Sequence, residues 1–390
     1  MTDSYAKWAA GLFEQAPAEW ASTLFAIDHQ QAPSQRQLAA ALSHAPRAAT
    51  SLKSATLKEL LVQWEFNPPQ VIVAAGPGPF MMALRARLDR TSWGGVIPLV
   101  GGSPGIAAHL STSSLRFRVA LDVLIVASTN ERDVLSHKMQ QQFEYSPRVA
   151  LSTLPYISGL QARPITNYDI QECVFAAQPD IPQSRDDRRA LLINLLQFRR
   201  TNKLEALTIK LRAIIGEAQT HTEVHSYQDI FSELVAKGDA SRNEIRFVYG
   251  SMQDALENPS TILATVSSSA ALEAIALGNP ALIIADCGVD DEHANHVFEG
   301  SGLIHKLDEV KLPYQGLAAA SWKLQNYFHP ASENNWISTI ESLGARTAPQ
   351  LSEKFSRQEI LKNAISEALR TDFPQRSASL FKLYRAVFKR

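Results

Sequence analysis

Short apolar runs alternate with helical patterns along most of this chain. The runs are nearly continuous and rich in β-branched residues, which is typical of strands buried on both faces of a parallel sheet. Helical periodicity between several of them predicts an α/β fold. The predicted strands are 24–27, 71–75, 96–100, 123–127, 149–154, 173–177, 207–211, 245–249, 262–266 and 281–285. The clearest predicted helices are 35–42, 57–64, 80–88 and 186–201.

The pattern is that of two domains followed by helices. A chain of 390 residues exceeds the size at which a single hydrophobic core stops growing. A looser stretch with prolines, a glycine and an asparagine, 155–169, interrupts the alternation, and we interpret it as a linker. We predict two doubly wound, Rossmann-like domains, 1–160 and 170–330, that face a cleft, with C-terminal helices at 331–390. In such sheets ligands bind beyond the carboxyl ends of the strands.

Composition narrows the class of protein. The 38 basic and 39 acidic residues nearly cancel, which argues against nucleic acid as a partner. Two distant cysteines, Cys173 and Cys287, fit a reduced cytoplasmic protein without a disulfide framework. The sequence has no apolar run of membrane-spanning length and no signal-peptide pattern. We therefore expect a cytoplasmic α/β protein.

The segment 265–286, TVSSSAALEAIALGNPALIIAD, carries the strongest chemical signal. Ser267, Ser268 and Ser269 stand where a predicted strand passes into a helix, with Glu273 in its second turn. Free N–H groups and the positive end of the helix dipole make such a point an anion site, and Glu273 is within reach of a ribose. The serines and this glutamate favour a nucleotide-sugar site. The alternative is that Ser267 merely caps the helix.

Polar groups also follow two neighbouring strands of the same domain. Gln178 is the first polar residue after one strand, and Lys210 and Arg212 flank an apolar residue at the end of the next. Cations at a strand tip suit phosphate, with arginine as a two-pronged clamp. The alternative is a solvated edge strand.

A polar loop follows Arg212 and contains His221, which we include among the phosphate-binding candidates. Its helical spacing to Glu223 and His225 would also suit a metal ion, but no further ligand cluster is obvious. The metal is the weaker alternative, and we predict no metal site.

Glycine-rich loops follow two predicted strands of the first domain. Gly76 and Gly78 come after one strand, and Gly102 and Gly105 after the next. Glycine lets backbone approach a ligand closely, but neither loop has the GxGxxG spacing or the P-loop ending. These glycines line the cleft from the first domain or form tight strand-to-helix turns; we leave both interpretations open.

Asp3 is the candidate general base. The chain enters a helical pattern at Asp3, where an α/β domain normally opens with a strand. Either a first strand is missing or the fold starts with a helix. In the first case Asp3 would lie at that strand's tip, where a closed cleft raises a carboxyl pKa towards the working range of a base. A helix N-cap at Asp3 is the equal alternative, and Glu131 or Asp133 is the fallback base.

Together these segments resemble a known family. The motifs DSYAKW, FAAQPDIP, KLR with GEAQTH, and SSSAALEAIALGNP followed by VFEGSGL are similar in order and spacing to an actinobacterial family of glycosyltransferases with the GT-B fold. The resemblance implies sugar transfer from a nucleotide donor, without a bound metal. It places the donor on the second domain, at the three serines, Glu273, Lys210 and Arg212, and it implies a strand before DSYAKW.

The sequence therefore predicts a glycosyltransferase that moves a sugar from a nucleotide-sugar co-substrate to a glycan, lipid-linked or cell-wall polymer acceptor, with no cofactor. The alternatives are a sugar-nucleotide 2-epimerase of the same fold and a non-catalytic nucleotide- or sugar-binding protein. An amphipathic pattern at 377–389 either packs on the first domain or holds the enzyme at the inner membrane face. We leave peripheral membrane contact open.

Overall fold

The structure, a computed structural model, describes residues 3–29, 32–107, 112–163, 169–212, 223–346 and 357–372. The chain divides into two compact units, Met1–Pro155 with Phe328–Arg390, and Tyr156–Tyr327. The chain thus returns to the first unit at Phe328. The domain boundaries predicted from the sequence stay predictions. The amphipathic pattern at 377–389 lies outside the described residues.

The strands of the described residues form three parallel sheets. In chain order they are β1 (Leu24–Ile27), β2 (Leu52–Ala55), β3 (Ile72–Ala74), β4 (Leu99–Gly102), β5 (Val123–Val126), β6 (Arg148–Leu151), β7 (Glu172–Ala176), β8 (Ala206–Lys210), β9 (Arg246–Val248), β10 (Thr261–Thr265), β11 (Ala281–Ile284) and β12 (Ile304–His305). In the first unit β3-β4-β5-β6 form one sheet and β1-β2 a separate pair. All pairings are parallel, which confirms the α/β class.

Helices connect these strands. In chain order they are α1 (Asp3–Gln15), α2 (Gln35–Leu42), α3 (Pro46–Ser51), α4 (Leu57–Phe66), α5 (Gly78–Leu88), α6 (Thr112–Arg116), α7 (Thr129–Gln142), α8 (Pro155–Ser158), α9 (Arg185–Thr201), α10 (Tyr227–Lys237), α11 (Met252–Ala255), α12 (Ala270–Leu277), α13 (Ala320–Gln325), α14 (Trp336–Glu341) and α15 (Arg357–Asp372). Side-chain caps set several starts; Ser184, for example, accepts from the Asp187 N–H at 3.0 Å before α9. No helix in the described part of the chain combines the length and the apolar character that crossing a membrane requires.

The first unit departs from the predicted pattern in two places. The strand predicted at 96–100 is β4, Leu99–Gly102, which shares only residues 99 and 100 with the prediction. A 3₁₀ turn at Gly94–Val96 comes first, and β4 begins after Pro98. Proline has no N–H to donate to a ladder, which fits its place outside the strand. β2 was not predicted, because its sequence, LKSA, has no apolar run.

The sheet of the second unit is doubly wound. Its strand order is β12-β11-β10-β7-β8-β9, so the chain moves outwards from β7 to β9, returns to the other side of β7, and continues through β10 to β12. The direction reverses between β7 and β10. At such a switch point the loops that leave the two central strands diverge and open a crevice for a ligand. The candidate chemistry of this unit therefore lies after β7 and β10.

Candidate functional site

A hydrogen-bonded pair marks the switch point of the second unit. The Ser267 N–H donates to Gln178 Oε1 at 3.0 Å, and Gln178 Nε2 donates to Ser267 Oγ at 3.2 Å. Gln178 follows β7 and is half-buried, whereas Ser267 follows β10 and is only 7% exposed. The fold thus brings together two predicted residues that are 89 positions apart in the chain.

The three serines have different partners. The Ser268 N–H donates to Thr265 Oγ1 at 3.2 Å, and Ser268 Oγ accepts from the Ala270 N–H at 3.2 Å. Ser269 is the N-cap of α12, and neither its N–H nor its hydroxyl has a hydrogen-bond partner among the described residues. Ser267 is bonded to Gln178 and does not cap the helix. The helix N-terminus therefore keeps open donors at Ser269, where an oxyanion can bind.

The remaining donor-side candidates lie on different elements. Glu273 lies in the first turn of α12, not the second as predicted, and its exposed fraction is 7%. Lys210 ends β8, and its carbonyl accepts from the Ala177 N–H at 3.1 Å, which holds it beside the loop that carries Gln178. Arg212 follows two residues later and is half-buried. His221 lies outside the described residues.

A buried arginine that the sequence analysis missed holds this loop in place. Arg188, in α9, is 1% exposed. Each of its five N–H groups has an acceptor, and its guanidinium carbon lies 4.9 Å from the centre of the Tyr227 ring. The acceptors are Pro182 O at 2.8 Å, Glu223 Oε1 at 3.1 Å, His225 O at 3.0 Å, Gln178 O at 2.8 Å and Pro179 O. Arg188 therefore joins the loop after β7 to the segment before α10 and fixes the backbone of Gln178.

The sequence contained a signal for Arg188. It precedes Leu191, Leu192 and Leu195 at helical spacing, so it shares the apolar face of α9, and these leucines are fully buried. Its acidic partner Glu223 is half-buried, and burial raises the pKa of that carboxyl, with the charge of Arg188 opposing the shift. An arginine on an apolar helix face requires partners from elsewhere in the fold.

The loop after β11 adds an imidazole at the same edge of the sheet. Asp290 Oδ1 accepts from both the backbone N–H and the ring Nδ1 of His293, each at 2.8 Å. The hydrogen bond from the His293 backbone, followed by the one from its ring, lowers the pKa of Asp290. Because a carboxylate accepts at Nδ1, the neutral ring keeps its Nε2 lone pair as an acceptor.

Packing explains the glycines predicted on the first unit. Gly102 lies in β4 itself, where an added Cβ would stand 2.3 Å from Trp8 Cζ2. An added Cβ at Gly76 would stand 2.7 Å from Phe80 Cδ1, and one at Gly78 2.6 Å from Phe117 Cβ. Gly105 lies in a bend after β4. Close packing therefore accounts for three of these glycines, and a ligand role for any of them stays a prediction.

The candidate bases have different surroundings. Asp3 is the first residue of α1. The fallback Glu131 is fully buried, and its carboxylate accepts from the Ala107 N–H at 2.5 Å and the Ala127 N–H at 3.3 Å, so it holds the loops after β4 and β5 together. Asp133 is exposed and pairs with Arg132. Within the described ranges, no group of three metal-ligating side chains is arranged to hold an ion.

Several solved structures are similar to this chain at low identity. The UDP co-structure of S. aureus MnaA has 14% identity and a TM-score of 0.46, over 81% of this chain and 91% of that one. The UDP-GlcNAc 2-epimerase from Methanocaldococcus jannaschii has 12% identity and a TM-score of 0.43, over 75% and 85%. The pneumococcal O-GlcNAc transferase GtfA, in complex with UDP and GlcNAc, has 12% identity and a TM-score of 0.43, over 64% of this chain and 49% of that one.

No curated protein sequence matches the chain. A family model does match it, over residues 1–343 of 390. That span contains the whole second unit, with Gln178 and the three serines at its switch point. The chain belongs to the family described as "Putative glycosyltransferase (DUF6716)".

Proposed function

We propose that this protein is a metal-independent glycosyltransferase of the GT-B type that takes its sugar from a nucleotide-sugar donor. Its family supports sugar transfer in general. The observation that carries the donor site is the Gln178–Ser267 pair at the switch point, next to the open donors of Ser269. A doubly wound sheet binds its ligand at this point, and a helix N-terminus favours the phosphate part of that ligand.

In this proposal the donor diphosphate or monophosphate lies on Ser267, Ser268 and Ser269, with Lys210 and Arg212 as its cationic partners. As the bond between sugar and phosphate breaks, negative charge develops on the leaving phosphate. Fixed hydroxyls, N–H groups and cations aimed at that charge stabilise the transition state without a metal.

The other contacts of the proposed donor serve recognition and positioning. Glu273 accepts from a ribose hydroxyl, and Gln178 and His221 complete the phosphate surroundings. Arg188 acts through Gln178, because it holds the Gln178 carbonyl at 2.8 Å. It is a positioning residue and does not itself contact the donor.

The acceptor belongs on the first unit in this proposal. Asp3 removes the proton from the acceptor hydroxyl, and Gly76, Gly78, Gly102 and Gly105 form the acceptor-side loops. The acceptor is a glycan, lipid-linked or cell-wall polymer. The reaction takes place in the cytoplasm, where nucleotide sugars are made and where the free thiols of Cys173 and Cys287 stay reduced; peripheral contact with the inner membrane face belongs to the same proposal.

The first test is thermal stabilisation of the full chain by CMP, UDP, GDP, dTDP and ADP, with and without EDTA. A nucleotide at 100 times its dissociation constant adds about 2.7 kcal/mol of stability. We expect one nucleotide to raise the Tm, with the rise unchanged by EDTA. Ser267→Ala should lower the affinity for that nucleotide about 10-fold or more, since the substitution removes a hydrogen bond to a charged group.

The matched control is Ser251→Ala. Ser251 follows the edge strand β9 and caps α11 at the Asp254 N–H, 3.0 Å away. It is not among the proposed donor contacts, so its loss should not alter nucleotide affinity. Equal affinities for wild type and Ser267→Ala would overturn the donor site.

Products distinguish the three functional alternatives. A transferase releases nucleotide in proportion to added acceptor, and Asp3→Asn should abolish that turnover while nucleotide affinity stays unchanged. An epimerase interconverts nucleotide sugars with no acceptor present. A binding protein does neither, so a Tm shift without any turnover would contradict the transferase.

A further inference from the structure

Arg118 differs from the other buried arginines of the described residues. Arg85, Arg118 and Arg188 are 0%, 5% and 1% exposed. Arg85 donates to Asp89 at 2.8 Å and to the carbonyls of Ile97, at 2.8 Å, and Gly94. By contrast, Arg118 Nε and Nη1 are enclosed and have no hydrogen-bond partner, and no carboxylate of the described residues pairs with this guanidinium.

An enclosed cation without a partner is an unusual feature. A guanidinium keeps its positive charge in proteins, and burying a charge is strongly unfavourable unless a counter-charge or hydrogen bonds compensate. Native structures leave few buried polar groups unsatisfied, and each one calls for an explanation. The planar fork of arginine matches the two oxygens of a phosphate or carboxylate.

We propose that Arg118 is the anchor of an oxyanion-binding site in the first unit, which takes a phosphate or carboxylate group of a ligand. Nη2 is not among the enclosed nitrogen atoms, so the outer edge of the guanidinium is the part that an anion reaches first. A bound anion at this edge would supply the counter-charge that the described residues do not give the guanidinium.

The surroundings of Arg118 support this assignment. It lies in the 3₁₀ turn Phe117–Ala120, which leads into β5. This turn packs against the start of α5, where the missing side chain of Gly78 makes room for Phe117. Arg118 is therefore close in the fold to the N-terminus of an 11-residue helix, which itself favours anions.

An anion site at Arg118 also indicates the chemical class of the acceptor. This inference rests on the proposed function. If the donor phosphates lie on the second unit, an anion at Arg118 belongs to the other substrate. The acceptor would then carry a phosphate or carboxylate group in addition to the hydroxyl that receives the sugar.

The test compares the full-length protein with Arg118→Met, using inorganic phosphate and acetate as probes. Methionine keeps the apolar stem and removes the charge. Without anion we expect Arg118→Met to have a Tm equal to or above that of wild type, because an unpaired buried charge is lost. At 10 times its dissociation constant, the preferred anion should raise the wild-type Tm by about 3 °C and leave Arg118→Met unchanged. The response to acetate against phosphate distinguishes the two ligand groups.

Three further variants complete the design. Arg118→Lys keeps the charge and should retain a weaker anion response. Arg116→Met removes an exposed arginine that pairs with Glu359 at 2.6 Å, so its anion response should match that of wild type. Ser267→Ala disables the proposed donor site only, and its phosphate response should persist.

Several outcomes would overturn the site. One is the lack of a Tm shift with either anion in wild type, and another is an equal shift in Arg118→Met. A Tm of Arg118→Met well below wild type in anion-free buffer would mean that the native protein already pairs this guanidinium. Loss of the phosphate response in Ser267→Ala alone would assign the anion to the donor site. Failure of the proposed function would show separately, as the lack of a Tm shift with any of the five nucleotides.

Discussion

Replacing Arg188 tests how the loop after β7 is held. Arg188→Met keeps the stem that packs in α9 and removes all five N–H donors. Four backbone carbonyls and the Glu223 carboxylate then lose a charged partner at once. The backbone of Gln178 is among them, so the substitution also loosens the pair that Gln178 makes with Ser267.

The magnitude follows from burial and partner count. A hydrogen bond to a charged group contributes about 1.5–3 kcal/mol, but the five act as one unit and do not add. Removing one partner of a buried ion pair costs about 3–5 kcal/mol. We expect a loss of about 4 kcal/mol, a large part of the 5–15 kcal/mol typical of folded domains. The pKa of Glu223, already raised by burial, should rise further.

Calorimetry of the full chain measures this loss. At about 2–4 °C per kcal/mol for a unit of this size, the transition of the second unit should move down by about 8–16 °C. Arg189→Met is the matched control. Arg189 is next to Arg188 on α9, is partly exposed and pairs with Asp239 at 3.6 Å, so this substitution should change stability by less than about 0.5 kcal/mol. Equal transition temperatures for the two variants would refute the role of Arg188 in holding the loop after β7. Unchanged nucleotide affinity in Arg188→Met would refute it as well.

Two further predictions concern the first unit. Gly102→Ala should lower the free energy of unfolding by about 1–3 kcal/mol because its Cβ would overlap the Trp8 ring. Gly95→Ala, at a glycine with open space around it, should leave stability unchanged. Equal Tm values for the two variants would contradict this packing. Burial lowers the pKa of His29, which is bonded to Glu367 at 3.3 Å. Below a pH of about 6.5 the unfolded chain takes up a proton at His29 more readily than the folded protein does. The free energy of unfolding should therefore fall from pH 7 to pH 5 by up to about 1.4 kcal/mol per pH unit. His29→Gln should flatten that part of the pH profile, and an unchanged slope would show that His29 does not cause it.

Several features could be predicted locally. The apolar runs that form β7 and β10 are buried strands in the structure, and Gln178 and Ser267 stand just beyond their ends. Such features follow from short-range patterning, because side-chain periodicity and the first polar residue after a strand do not depend on distant partners. The strand predicted at 96–100 began three residues too early, because the prediction counted apolar residues across Pro98.

The α/β class and the residues at most strand ends could be predicted from the sequence. Which strands are neighbours could not, and neither could the meeting of Gln178 with Ser267, which lies 89 positions away in the chain. Only the tertiary structure separated Arg188 from Arg118, two arginines that look alike in the sequence. The acceptors of Arg188 come from loops up to 37 residues distant, whereas Arg118 has none among the described residues. The physical reason is that a buried charge is satisfied by groups that folding brings together, and local sequence does not encode where those groups will lie.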